Sequence, residues 1–135
     1  MHTVRTVLAF DFGLRRIGAA VGQDLSRTAQ ALGTIKVKQH RPDWDGIGRL
    51  VHEWQPDLFV LGRPETEDGK PHSLAAAIER FAGRLHGRYG KPVHFIDERL
   101  SSYAAEGSAD AARLGVDAAA ARIILETWFE TIKPR

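Results

Sequence analysis

The order of short apolar runs is the feature of this sequence that most restricts its fold. Three runs come first, at residues 6–10, 17–21 and 32–37, and the turns between them are short and contain Gly13 and Gly22. Consecutive strands joined by tight turns usually pair with each other as hairpins. The first third of the chain therefore predicts a three-stranded antiparallel meander.

Helices and strands alternate after the meander. Apolar spacing predicts helices at residues 44–54, 74–89 and 117–132, an Ala-rich helical stretch at about 102–113, and short buried strands at 58–61 and 93–96. The order βββαβαβα, with a broken or doubled final helix, is typical of an α/β domain in which helices pack on a mixed five-stranded sheet. We expect residues 1–135 to form a single domain, because no linker or repeat interrupts the pattern.

The composition excludes several classes of protein. No run of about 18 apolar residues is present, so neither a spanning helix nor a membrane partner is expected. The apolar stretch near the N-terminus is too short for a secretory signal. The sequence contains no cysteine, which excludes disulfides, Cys-ligated zinc and thiol nucleophiles and fits a cytoplasmic location.

Charge is distributed unevenly along the chain. Residues 1–50 carry eight Lys and Arg side chains against four Asp and Glu, whereas residues 51–135 carry eleven against thirteen. A basic N-terminal segment can contact phosphate groups, so a nucleic-acid partner is compatible with this pattern.

Acidic residues fall at three structurally related places. Asp11 closes the first predicted strand, Asp97 and Glu98 directly follow the fifth, and Asp117 begins the last helix, where an Asp commonly caps. The carboxyl ends of parallel strands in α/β sheets form ligand sites. Neighbouring strand residues point to opposite faces, so only one of Asp97 and Glu98 can share the side of Asp11, and alternation alone leaves open which. Asp117 shares a helix face with Ile124, seven residues later, which directs it toward the sheet.

Carboxylates gathered at one sheet edge repel one another unless a cation lies among them. Oxygen ligands without cysteine or paired histidine favour hard ions, Mg²⁺ or Mn²⁺, and such ions suit phosphoryl chemistry. Arg15 and Arg16 lie close to Asp11 in the sequence and become candidate phosphate contacts.

Four motifs resemble, in order, those of the YqgF/RuvX family of bacterial RNase H-like proteins. They are DFGLRRIG at residues 11–18, followed by AVG at 20–22; GRP at 62–64 with DG at 68–69; DERLSS at 97–102; and VD at 116–117 with the AA and IILE of the last helix. The resemblance covers nearly the whole chain.

Several expectations follow from this resemblance. It implies an RNase H-like nuclease that processes the 5′ end of pre-16S rRNA, with metal-binding, catalytic acids at Asp11, Glu98 and Asp117. The resemblance also selects Glu98, rather than Asp97, as the acid that shares the site with Asp11. Asp97 is then a supporting group or an additional ligand. Further candidate contacts to nucleic acid are Arg63, Lys70 and Arg99.

Two other functions are compatible with the same sequence. Similarity to RuvC makes a Holliday-junction nuclease acting on branched DNA one alternative, and symmetric cutting of a junction would require a homodimer rather than a monomer. Family members usually carry basic residues just before the last acid, where this chain has Leu114, Gly115 and Val116. That departure suggests the second alternative, a non-catalytic RNA-binding protein of ribosome assembly.

Overall fold

A computed structural model of the protein describes residues 4–63, 74–97 and 108–132. In this part of the chain, six strands and four helices form a sheet with helices on both faces. The strands are β1 (Thr6–Phe12), β2 (Arg16–Gln23), β3 (Thr28–Lys38), β4 (Arg41–Pro42), β5 (Leu58–Arg63) and β6 (Val93–Asp97). The helices are α1 (Trp44–Trp54), α2 (Ala75–Tyr89), α3 (Ala109–Leu114) and α4 (Val116–Thr131).

The strands lie in the order β4-β3-β2-β1-β5-β6. β1, β2 and β3 pair antiparallel, which confirms the predicted meander, and β5 and β6 run parallel to β1. The α/β class with a mixed sheet is confirmed. One strand more than the five predicted is present, β4, because a strand of two residues is too short to show an alternating pattern. Since β1, β5 and β6 are parallel, their carboxyl ends meet at one edge of the sheet.

Both faces of the sheet are covered, and β1 contributes to both cores. Leu8 and Phe10 pack toward α1 and α2, whereas Val7 and Ala9 pack toward α4. Burial on both sides explains why β1 is an uninterrupted apolar run rather than an alternating one.

A bulge in β3 reverses which of its residues face α4. Ala19 pairs with Gly33 and Ala20 with Ala31, so Leu32 has no partner in the ladder. Before the bulge Ala29 packs on the α4 side, and after it Ile35 packs on the α1 side. An extra residue in one strand shifts the alternation of side chains by one position.

Two glycines of β2, Gly18 and Gly22, lie on the face of the sheet that α4 covers. Gly22, which was predicted to lie in a turn, instead lies within β2. A Cβ there would overlap with the Thr28 carbonyl oxygen and would lie 3.0 Å from the Phe129 ring. The close approach of the β3 backbone and, less tightly, of two α4 side chains, rather than a turn, therefore explains this glycine.

The helix ends differ from prediction in two respects. The N-cap position of α4 is Gly115, so Asp117 lies inside the first turn and is not the cap that the sequence suggested. α3 begins at Ala109, capped by Ser108, whose hydroxyl accepts from the Ala111 amide; residues 102–107 of the predicted Ala-rich stretch lie outside the described part. No helix in the described ranges has the length and hydropathy needed to cross a membrane.

Candidate active site

Asp11 is a buried carboxylate at the carboxyl end of β1. Only 8% of its surface is exposed. Asp11 points to the same face of β1 as Val7 and Ala9, which pack against α4, because the three residues are spaced two apart. It lies opposite Gly18 of β2. Residues directly opposite each other in antiparallel strands share a face, with their Cα atoms about 4.5–5.5 Å apart. Asp11 therefore belongs to the α4 face, at the edge where the parallel strands end.

Gly18 brings the second acidic residue to the same place. A Cβ on Gly18 would overlap with the carbonyl oxygen of Asp117, and it would also lie 2.8 Å from the amide nitrogen of Ala118. The first turn of α4 thus rests directly on the backbone of Gly18. Because Asp11 is the strand partner of Gly18, the backbone of Asp117 lies close to the end of β1 that carries Asp11, on the same face of the sheet.

Arg16 orients the carboxylate of Asp117. Its Nε donates to Asp117 Oδ2 over 3.0 Å, and the two side chains are 64% and 33% exposed. A pair this exposed contributes at most about 1 kcal/mol to stability, so its importance lies in position and charge. The N-terminal turn of a helix also favours a negative charge at Asp117.

The remaining predicted basic contacts divide into three groups. Arg15 is exposed in the turn between β1 and β2, and its carbonyl accepts from the Val37 amide. Arg63 pairs in register with Asp97, lies 3.9 Å above the Phe95 ring, and forms an ion pair with Glu79 of α2 at 3.0 Å. Arg63 therefore lies on the α2 side of the sheet, away from Asp11. Lys70 and Arg99 lie outside the described residues.

Of the two acids predicted at the end of the fifth strand, Asp97 and Glu98, the structure describes only Asp97. Phe95 packs toward α2 and Ile96 toward α4, so alternation assigns Asp97 to the α2 side, opposite Asp11. This placement disfavours Asp97 as an additional ligand beside Asp11. Glu98 lies outside the described residues.

Two carboxylates, those of Asp11 and Asp117, are the candidate metal donors among the described residues, and their chemistry fits a hard cation. Within residues 4–63, 74–97 and 108–132, no group of three or more His, Cys, Asp or Glu side chains is arranged to hold a metal ion. Asp11 and Asp117 supply oxygen donors from two different elements, one of them buried. Oxygen donors of this kind suit Mg²⁺ or Mn²⁺ rather than softer ions.

Sequence reasoning missed Gly18, although it determines where Asp117 lies. The available signal was the run of small residues in the second strand, Gly18-Ala19-Ala20. Small residues at a sheet surface allow another backbone to approach closely. Which backbone approaches depends on the tertiary packing.

The fold is RNase H-like and resembles that of solved Holliday junction resolvases. Superposed on the Thermus thermophilus RuvC in complex with a Holliday junction substrate, the chain gives a TM-score of 0.54 at 16% identity, covering 97% of this chain and 99% of that one. With the fowlpox virus resolvase in a Holliday junction DNA complex, the TM-score is 0.59 at 12% identity, covering 93% and 97%.

The chain belongs to the RuvX family, described as Holliday junction resolvase, whose model matches residues 5–131. A relative from Pectobacterium atrosepticum is 47% identical over 93% of this chain and 96% of its own length. A relative from Nitrosococcus oceani is 46% identical over 92% and 86%. Both carry the name "Putative pre-16S rRNA nuclease". The predicted family and the class of phosphodiester-cleaving nucleases are thereby confirmed.

Proposed function

We propose that this chain is a cytoplasmic, metal-dependent endonuclease, formed by a single domain over residues 1–135, that processes the 5′ end of pre-16S rRNA. The observation that supports the proposal is the contact between the first turn of α4, which carries Asp117, and Gly18, the strand partner of Asp11. The pre-16S substrate is inferred from relatives at 46–47% identity.

Asp11, Asp117 and Glu98 would hold the metal ion in this proposal. Glu98 is included because the DERLSS motif resembles that of the family, and its position lies outside the described residues. A hard divalent ion at this site would supply activation of water and stabilisation of the leaving oxygen. Magnesium is the ion we propose, with manganese as a substitute.

The described side chains have separate tasks in such a site. Asp11 is held at the end of a central strand, so its carboxylate is fixed by a rigid element. Arg16 keeps Asp117 oriented through the bond between Nε and Oδ2. Arg15, exposed in the neighbouring turn, forms no ion pair with another residue that the structure describes and can contact a substrate phosphate.

A Holliday-junction nuclease is the second candidate function. The family description and the junction complexes of the structural neighbours favour it. We place it second because those neighbours share only 12–16% identity with this chain.

The test is a cleavage assay on two substrates. The purified chain is incubated with an RNA carrying the 5′ boundary of 16S rRNA and with a four-way DNA junction, in Mg²⁺, Mn²⁺ or EDTA. We expect cleavage of the RNA in either metal and none in EDTA. Preferred cleavage of the junction, with a dimer in solution, would support the second candidate, and binding without cleavage under any metal would support a non-catalytic RNA-binding protein.

Variants of the acids assign their role in the same assay. Asp11→Asn and Asp117→Asn each remove a ligand charge, and we expect a loss of activity of at least about 100-fold, since even groups that only support metal ligands contribute 10–100-fold. Asp45→Asn is the matched control, because Asp45 is an exposed acid in the first turn of α1. Activity of Asp11→Asn equal to that of Asp45→Asn would refute the assignment.

A further inference from the structure

We propose that four cations at one end of β2, β3 and β4 bind the phosphate backbone of the nucleic-acid substrate and lead it from the acid pair toward the β4 edge of the sheet. We call these residues the basic strip: Arg16, Lys36, Lys38 and Arg41. The proposal rests on the nuclease function above and specifies where its substrate strand runs.

The strand register places the four cations side by side. Arg16 is the partner of Lys36, and Lys38 is the partner of Arg41. Lys36 and Lys38 are two positions apart on β3, so their Cα atoms are about 7 Å apart. All four side chains are exposed. The basic strip therefore crosses three neighbouring strands without interruption.

The β3 bulge determines which face the basic strip occupies. Beyond the bulge, Ile35 and Val37 pack toward the α1 side, so alternation directs Lys36 and Lys38 to the opposite side, where α4 and Asp11 lie. Arg16 belongs to the same face because it bonds to Asp117 of α4. The basic strip and the acid pair thus share one face and one end of the sheet.

The arrangement is costly unless an anion binds. Like charges directly opposite each other on neighbouring strands destabilise a sheet. Lys38 and Arg41 form such a pair, whereas Arg16, the partner of Lys36, is itself paired with Asp117. In the described ranges, Lys36, Lys38 and Arg41 have no salt bridge, since the ion pairs of this region involve Arg16 alone. A polyanion would remove the repulsion between Lys38 and Arg41 and would also give Lys36 an opposite charge.

The hairpin tip carries backbone strain at the outer end of the basic strip. Gln39 and His40, between Lys38 and Arg41, have φ angles of 51° and 64°. Non-glycine residues in this left-handed region are uncommon and concentrate at functional sites. A two-residue hairpin loop of this type requires both of these angles, so the tip determines how Lys38 and Arg41 are presented at the outer end of the basic strip.

A polynucleotide is the ligand that this geometry favours. Its charges repeat along a strand, and the cations of the basic strip follow one another from β2 to β4, beginning at the acids to which we assign phosphodiester cleavage. An isolated phosphate would need convergent donors, whereas these cations are distributed over three strands.

The test measures binding of the pre-16S boundary RNA by fluorescence anisotropy in EDTA, with salt varied from about 50 to 200 mM. The variant Lys36→Gln/Lys38→Gln/Arg41→Gln leaves Arg16 and the acids intact. We expect its Kd at the lowest salt to rise by about tenfold or more, and the slope of log Kd against log salt to fall by about 2 to 3, as for the loss of three phosphate contacts.

The matched control removes three cations from the other face. Arg80, Arg84 and Lys91 are exposed on or just after α2, and Arg80→Gln/Arg84→Gln/Lys91→Gln should change Kd less than about threefold. Equal effects of the two triple variants, or an unchanged Kd in the first, would overturn the proposal. Competition by poly-glutamate at equal charge concentration would also overturn it, in favour of an acidic protein partner.

The assay separates this proposal from the nuclease function. Binding is measured without divalent ions, so dependence on the basic strip can be observed even if no metal supports cleavage. Conversely, metal-dependent cleavage together with unchanged binding by the triple variant would leave the nuclease function standing and reject the basic strip.

Discussion

Gly18 is the residue on which the geometry of the site depends most directly. Its backbone is the surface on which the first turn of α4 rests, and its strand partner is Asp11. The neighbouring atoms of Asp117 and Ala118 are backbone atoms, which cannot rotate out of the way as a flexible side chain can. Any added side-chain atom must therefore displace the helix.

We predict that Gly18→Ala separates Asp117 from Asp11. Overpacking of this kind typically costs about 1–3 kcal/mol, and we expect chemical denaturation to show a loss in that range together with loss of metal-dependent cleavage. Gly83→Ala is the control, because a Cβ at Gly83 of α2 meets nothing within 4 Å; it should stabilise by up to about 1 kcal/mol. Wild-type stability and cleavage in Gly18→Ala would contradict the assigned contact.

At the scale of elements, the β3–β4 hairpin is held in a conformation that its residues disfavour. A two-residue connection with positive φ at both central residues is usually made by Asn-Gly or Asp-Gly, whereas this chain uses Gln39 and His40. The hairpin is nevertheless kept by the pairing of Val37 with Pro42 and of Lys38 with Arg41.

We predict that Gln39→Asn/His40→Gly stabilises the protein by up to about 1 kcal/mol, since a left-handed conformation costs about that much more for an ordinary residue than for glycine. Thermal denaturation should show a rise of a few degrees. Glu53→Gly, at an exposed position of α1, should instead destabilise by about 1 kcal/mol. A fall in stability of the hairpin variant would show that these side chains support the turn.

At the scale of the whole molecule, acidic and basic groups lie next to each other at one end of the sheet. The chain has a net charge of only +2, yet the α4 face combines the buried Asp11 and the partly exposed Asp117 with the basic strip. Separation of charge at one end of the sheet allows a cation and a polyanion to bind next to each other.

We predict that Mg²⁺ and Mn²⁺ raise the thermal stability of the folded chain, because a ligand that binds only the native state stabilises it by mass action. At a metal concentration about 100 times Kd the gain should be about 2.7 kcal/mol, measured by calorimetry. The Asp11→Asn/Asp117→Asn variant should show no such gain, whereas Asp45→Asn should retain it. An equal gain in all three proteins would place the metal elsewhere.

Much of the fold was predictable because it depends on local patterns. The strand-then-alternation order and the positions of Asp11, Asp97 and Asp117 at element ends follow from apolar periodicity and turn residues. The extra strand β4 and the burial of Gly22 in β2 were missed, since both depend on pairing with another segment. The metal-binding roles of Asp11, Glu98 and Asp117 stay predictions.

The sequence by itself determined which elements form and that acids stand at their ends, because periodicity, chain breakers and strand ends are properties of neighbouring residues. Only the tertiary structure decided that Gly18 seats the first turn of α4, that Asp97 belongs to the face opposite Asp11, and that a bulge turns Lys36 and Lys38 toward the acids. These facts depend on register and on close approach between distant segments, and a shift of one residue in register would reverse every face.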